Sequence, residues 1–271
     1  MNLLIKIVGI LIANYYTRGG FPQLQKYLQM GIIFLYLGDY MKHIKYLLFL
    51  ILTPLFTSTA FADEHAVVIE GNITLTSDYV FRGVSQTDEN PAVQGGFDVS
   101  GDLLYAGVWG SNANYGDASG EFDVYVGLTK DLGSMSVDIG AVHYDYPGNS
   151  SNNTEDVYLI AGFGSIEVGY YQTTSADWFG VDNAAGTTYT YGAYSLDLTE
   201  TIYASIAYGQ TAVAGDGNDT GDYADTKAAV GFPLFGVDVE LAYTTTSYDD
   251  PAGDVGSADD SRFFVSVSKA L

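Results

Sequence analysis

Val67-Val68-Ile69-Glu70-Gly71-Asn72-Ile73-Thr74-Leu75-Thr76-Ser77-Asp78-Tyr79-Val80-Phe81-Arg82 alternates with a period of two. Odd positions carry Val67, Ile69, Ile73, Leu75, Tyr79 and Phe81. Even positions carry Glu70, Asn72, Thr74, Thr76, Asp78 and Arg82. Side chains of an extended chain point to opposite faces in turn, so this stretch predicts a strand with one greasy and one wet face. Sixteen residues exceed the ~5–6 of an ordinary soluble strand and suffice for the ~9–11 that cross a bilayer.

The rhythm repeats downstream. Val93 to Val99, Phe122 to Leu128, Met135 to Ala141, Val157 to Phe163, Ile166 to Tyr170, Val237 to Tyr243 and Phe263 to Val267 alternate in the same way. Segments 103–112, 187–196, 201–210 and 223–232 are blurrier, with apolar side chains on both faces. Twelve strands result, an even number as a bacterial single-chain barrel requires. Short links at 100–102, 130–133, 163–165, 197–200 and 233–236 alternate with longer Gly, Asn, Asp and Ser-rich links at 83–91, 111–120, 147–155, 174–187, 211–222 and 246–260. The reading is an all-β, transmembrane, antiparallel up-and-down barrel with tight periplasmic turns and long outer loops. In the eight clear strands the apolar face carries no charge until Lys269, near the end, where its ammonium reaches headgroups.

Composition narrows the function classes. The chain has 271 residues, with 10 Lys+Arg, 33 Asp+Glu and no Cys. Residues 1–62 sum to +4 and residues 63–271 to −27, which together give the net charge of −23. So acidic a body repels phosphate backbones and excludes nucleic-acid binding. The absence of Cys excludes disulfide scaffolds, thiolate metal sites and cysteine nucleophiles.

Met41-Lys42-His43-Ile44-Lys45, the apolar run Tyr46 to Phe56 and the small-residue end Ala60-Phe61-Ala62 have the order of a secretory signal. Residues 41–62 are therefore expected to be a signal peptide cleaved between Ala62 and Asp63, with 63–271 the barrel. Residues 1–40 then read as an upstream extension ahead of the true start at Met41.

Thr76-Ser77-Asp78-Tyr79-Val80-Phe81-Arg82-Gly83-Val84-Ser85-Gln86-Thr87 and Asn90-Pro91-Ala92-Val93-Gln94-Gly95 resemble the opening motif of the TorF family of proteobacterial porins. Tyr105 to Asn112 and Glu121 to Tyr125 resemble its next blocks, so the likeness is specific over 74–127 and diffuse beyond. It implies an outer-membrane barrel with no established substrate. The chain departs from barrel habit by ending in Leu271 rather than an aromatic residue.

The inward faces nominate pore-lining residues: Glu70, Asn72, Thr74, Asp78, Arg82, Gln94, Asp98, Glu121, Asp123, Tyr125, Asp138, Glu167, Asp238, Glu240 and Arg262. Acids outnumber the two Arg, so a conducting lumen is expected to favour cationic or neutral small solutes. The alternative is a plugged, merely solvated interior, in a barrel that serves structure or adhesion through its acidic loops. Arg82 and Arg262 are expected at one rim, either as a charged constriction or as braces on Asp78 and Asp260. A lipid hydrolase needs a His near a Ser. His143 faces outward near the rim, with Asp145 as its candidate orienting carboxylate, and reads better as part of an aromatic belt. Asp216 to Asp222 and the acids at 249–260 offer oxygen ligands but lack EF-hand spacing. No cofactor or metal is expected. The expected partners are outer-membrane lipid, lipopolysaccharide and small hydrophilic solutes.

Overall fold

The computed structural model describes residues 67–115, 118–215, 221–247 and 261–271. The expected signal peptide, its Ala62–Asp63 cleavage site, and the acids at 216–219 and 249–260 lie outside these. In chain order the strands are β1 Val68–Thr76, β2 Val80–Phe81, β3 Val84–Ser85, β4 Ala92–Ser100, β5 Leu104–Tyr115, β6 Ala118–Asp131, β7 Ser136–Asp145, β8 Thr154–Phe163, β9 Ile166–Thr173, β10 Thr188–Asp197, β11 Tyr203–Ala212, β12 Tyr223–Leu234, β13 Val237–Thr246 and β14 Ser261–Ala270.

Twelve of them form a closed antiparallel barrel. Each of β4 to β14 pairs with its neighbour in sequence, and β1 closes the ring by pairing with both β4 and β14. Closure leaves no sheet edge, so every strand's backbone groups find partners without water. The remaining two strands, β2 and β3, form a separate hairpin.

The alternation sets which face looks where. Ile73, Leu75, Phe97, Ile139, Leu159, Ile206, Leu241 and Val265 stand on the outside, each more than 40% exposed. Being half-exposed, each such side chain gains roughly half of the ~1.5–3 kcal/mol of full burial when apolar surroundings replace water. A ring of them around the wall is the surface that hydrocarbon chains cover. Lys269, on the same face, donates from Nζ to the carbonyl of Gly236 in the short β12–β13 turn at 2.6 Å.

Two sequence expectations need correction. The first strand does not run sixteen residues: β1 stops at Thr76, and the chain leaves the wall. Asp78 is the cause. Its Oδ1 accepts from Ser85 Oγ at 2.6 Å and Thr87 Oγ1 at 3.0 Å, while Tyr79 N donates to Thr87 Oγ1 at 3.1 Å. These bonds fold residues 78–87 back on themselves, so the apolar side chains of Tyr79, Phe81 and Val84 turn to the interior. The second correction concerns 111–120, expected as a long loop. Strands β5 and β6 extend through it, pairing as far as Tyr115 with Ala118, which leaves two residues between them.

Three of the four blurred segments, 103–112, 187–196 and 201–210, have a common explanation. Their inner faces carry Tyr105, Tyr189, Tyr191 and Tyr203, which count as apolar in a pattern but place phenol hydroxyls among carboxylates.

Candidate functional site

Strand register places the nominated wall residues on one face, the interior. Glu70 stands opposite Asp98, Asn72 opposite Gly96 and Thr74 opposite Gln94. Glu121 and Asp123 of β6 stand opposite Ser111 and Trp109, and Tyr125 opposite Gly107. Asp138 lies opposite Thr129, Glu167 opposite Gly162, Asp238 and Glu240 opposite Ser268 and Ser266, and Arg262 opposite Thr244.

Most of these acids are tied to tyrosines. Tyr125 OH donates to Asp98 Oδ1 at 2.6 Å, Tyr105 OH to Asp138 at 2.8 Å, Tyr191 OH to Glu167 at 2.7 Å, and Tyr203 OH to Glu240 at 3.0 Å. Tyr105 and Tyr158 share a further hydroxyl–hydroxyl bond. The reach depends on glycine. Tyr125 lies over Gly107 on the next strand, so that its hydroxyl reaches Asp98 one strand further. A Cβ on Gly107 would overlap that ring. Gly107→Ala is therefore expected to push Tyr125 off the wall and break its bond to Asp98, at about 1–3 kcal/mol. A lowered urea midpoint of the refolded barrel checks this; an unchanged midpoint refutes it.

The two arginines part company. Arg262 stays on the wall and faces Asp78, with Nη1 3.8 Å from Oδ2. Arg82 does not pair with Asp78 as a rim brace. It sits at the tip of the β2–β3 hairpin, which dips into the barrel, and Nη2 donates to Asp156 Oδ2 on β8 at 3.1 Å. Its guanidinium also lies 5.1 Å from the Tyr171 ring centre and 4.5 Å from that of Tyr189. The side chains of Arg82 and Asp156 are 5% and 1% exposed. Thr173 Oγ1 donates to the other oxygen of Asp156 at 2.8 Å.

The hairpin turn has an unusual first residue. Arg82 has φ 47° and Gly83 φ 82°, the pair of positive angles of a type I′ turn. Asn or Gly is the ordinary choice at the first of these positions, and arginine there is strained. Gly83 at the second is required twice over, since a Cβ would also stand 2.6 Å from Cβ of Asp225.

A hydrophobic cluster fills the loop end of the barrel around this hairpin. Phe81 packs edge-on to Tyr144 and Phe179, both with ring centres at 5.9 Å. Phe179 and Trp178 enter from the link between β9 and β10, where Phe179 N donates to Thr154 Oγ1 at 2.8 Å. On the β5–β7 side, the buried Glu121 accepts from the hydroxyls of Tyr79 and Tyr146. Burial, and then the facing carboxylates of Glu121 and Asp123, push the Tyr79 phenol well above its ordinary range, so it remains a donor. The interior is thus lined by polar groups along its length and narrowed at the loop end by protein.

Sequence reading missed Asp156, Asp225 and Lys227 as inner-wall charges. Parity alone places Asp156 inward. Asp225 and Lys227 sit in a blurred strand, where Lys227 Nζ donates to Glu240 Oε1 at 2.7 Å. His143 does face outward, and its partner is Glu155, with Nδ1 to Oε1 at 3.5 Å. Asp145, expected to orient it, instead accepts from Asn153 Nδ2 at 2.6 Å.

Solved structures that resemble this barrel include three outer-membrane proteins. The NanC porin superposes with a TM-score of 0.50 at 11% identity, over 75% of this chain and 100% of that one. The KdgM porin in complex with disordered oligogalacturonate gives 0.48 at 11% identity, over 75% and 99%. OpdK, an outer-membrane protein of Pseudomonas aeruginosa, gives 0.40 at 15% identity, over 67% and 58%. At such identities the NanC likeness shows the fold, that of an outer-membrane β-barrel. No curated protein matches the sequence. Residues 61–271 match the family described as a bacterial protein of unknown function (Gcw_chp), and the chain belongs to that family.

Proposed function

We propose that this chain is an outer-membrane channel through which small hydrophilic solutes, cationic or neutral in preference, diffuse passively. The observation that carries the reading is the sorting of side chains by a closed wall: apolar residues outside, and inside a surface where carboxylates outnumber Lys227, Arg82 and Arg262. Lipid and lipopolysaccharide surround such a barrel, and the resemblance of residues 74–127 to TorF porins points the same way. No bond of the solute changes. The wall replaces part of its hydration shell, and fixed negative charge sets the sign of the ion that enters.

The docked hairpin favours a second reading, a barrel closed at rest whose role is structural or adhesive. One measurement separates the two. In a planar bilayer under a KCl gradient, the channel reading expects a reversal potential shifted towards that of K⁺. Zero conductance would leave only the closed barrel, and a shift towards Cl⁻ would overturn the electrostatic part.

A further inference from the structure

We infer that the wall formed by Asp156, Tyr171, Tyr189 and Asp225 is a binding site for a planar organic cation of the guanidinium class, and that Arg82 occupies it as the protein's own ligand. Three independent features support this. The carboxylate of Asp156 is prepared for a cation: it lies on a rigid strand, is buried, and is held at its second oxygen by Thr173. Two tyrosine ring faces flank the guanidinium at 5.1 and 4.5 Å, within the ~6 Å at which a ring quadrupole attracts a cation. A second buried carboxylate, Asp225, borders the hairpin tip at Gly83.

The occupant, by contrast, is delivered by a strained element. A non-glycine residue with φ 47° opens the type I′ turn, and only two residues pair in each strand of the hairpin. The wall belongs to the barrel and keeps its shape through strand pairing, whereas the tip of the hairpin is attached to it through side chains, the backbone bond from Asn114 N to Gln86 O lying at the hairpin's base. A solute cation with the same flat, multiply donating head satisfies the same acceptors. It competes with a tethered group whose effective concentration is on the order of millimolar. Removing the tethered group leaves an organised, vacant acceptor.

The solute's route to this site rests on the channel reading; the site itself does not, so its test needs no conduction. Butylguanidinium is titrated into the refolded barrel in detergent micelles, followed by calorimetry, with butylurea as the uncharged control. Arg82→Ala is expected to bind butylguanidinium at least about tenfold more tightly than the unaltered chain, from the gain of a charge-assisted hydrogen bond and two ring contacts. Adding Asp156→Asn to Arg82→Ala is expected to abolish that gain, and butylurea to discriminate among none of the three. Arg82→Met, which keeps the apolar stem against Phe81, serves where the alanine variant refolds poorly. Equal affinity for butylguanidinium in all the proteins, or equal gains for butylguanidinium and butylurea, overturns the inference. Binding that follows this order in a barrel without conductance sustains the site and sinks only the channel.

Discussion

Asp156→Ala is expected to release the β2–β3 hairpin from the barrel and expose Arg82 to trypsin. The substitution removes one partner of an ion pair whose two side chains are 5% and 1% exposed. Stripping a partner from a buried pair costs about 3–5 kcal/mol, because the remaining charge stays desolvated. The hairpin escapes that cost by leaving, since a guanidinium in water needs no partner. What opposes escape is chiefly Phe81 against Tyr144 and Phe179, worth about 1.5–3 kcal/mol. That packing is present in parent and variant alike, so the lost pairing sets the change: the undocked population should rise by about two to three orders of magnitude, at about 1.4 kcal/mol per tenfold. Cleavage follows that population where opening is fast. Limited trypsinolysis of the folded barrel, read by mass spectrometry as a new end at Arg82, should accelerate correspondingly. Asp156→Asn, which retains an oxygen acceptor, should fall between the variant and the parent. Protection that is unchanged in Asp156→Ala would mean that the backbone bonds Gln86 N to Tyr79 O and Asn114 N to Gln86 O hold the hairpin without help from Arg82. A barrel that conducts should also pass a larger current once the hairpin has moved.

Ile139→Arg carries the second large effect. Ile139 lies midway along β7 on the outer face, level with Leu128 and Leu159 of its two neighbours. It is 55% exposed when the barrel stands alone. Facing water, such a substitution stays within about 0.5 kcal/mol. Facing hydrocarbon at mid-depth, an arginine costs about 2–4 kcal/mol. Urea unfolding of the protein refolded into phospholipid vesicles distinguishes the two: a midpoint lowered by the larger cost is expected, against little change for Ile139→Val. An arginine tolerated at 139 would remove the ground for placing this face in lipid.

The period-two alternation made strand identity, strand number and the inner or outer position of most wall residues legible without coordinates. Backbone geometry alone sets that period, so Glu70, Asp98, Glu121 and Asp238 keep their side whatever their neighbours. The same rule failed at Tyr79 and Phe81, where the pattern continued but the strand did not. Their path is set by Asp78 gripping Ser85 and Thr87, a local set of hydrogen bonds that competes with the ladder and has no periodicity. Tyrosine misled in the other direction: Tyr105 and Tyr203 blurred their strands because one side chain offers both a ring and a donor.

Sequence by itself therefore determined a barrel wall and the sorting of its two faces, since each depends only on a residue and its immediate neighbours along the chain. Tertiary structure decided that Arg82 meets Asp156, 74 positions away, between Tyr171 and Tyr189. That meeting depends on closure and register, which bring β8, β9 and β10 across the lumen from β1, and no local spacing encodes a distance measured through the hollow of a ring.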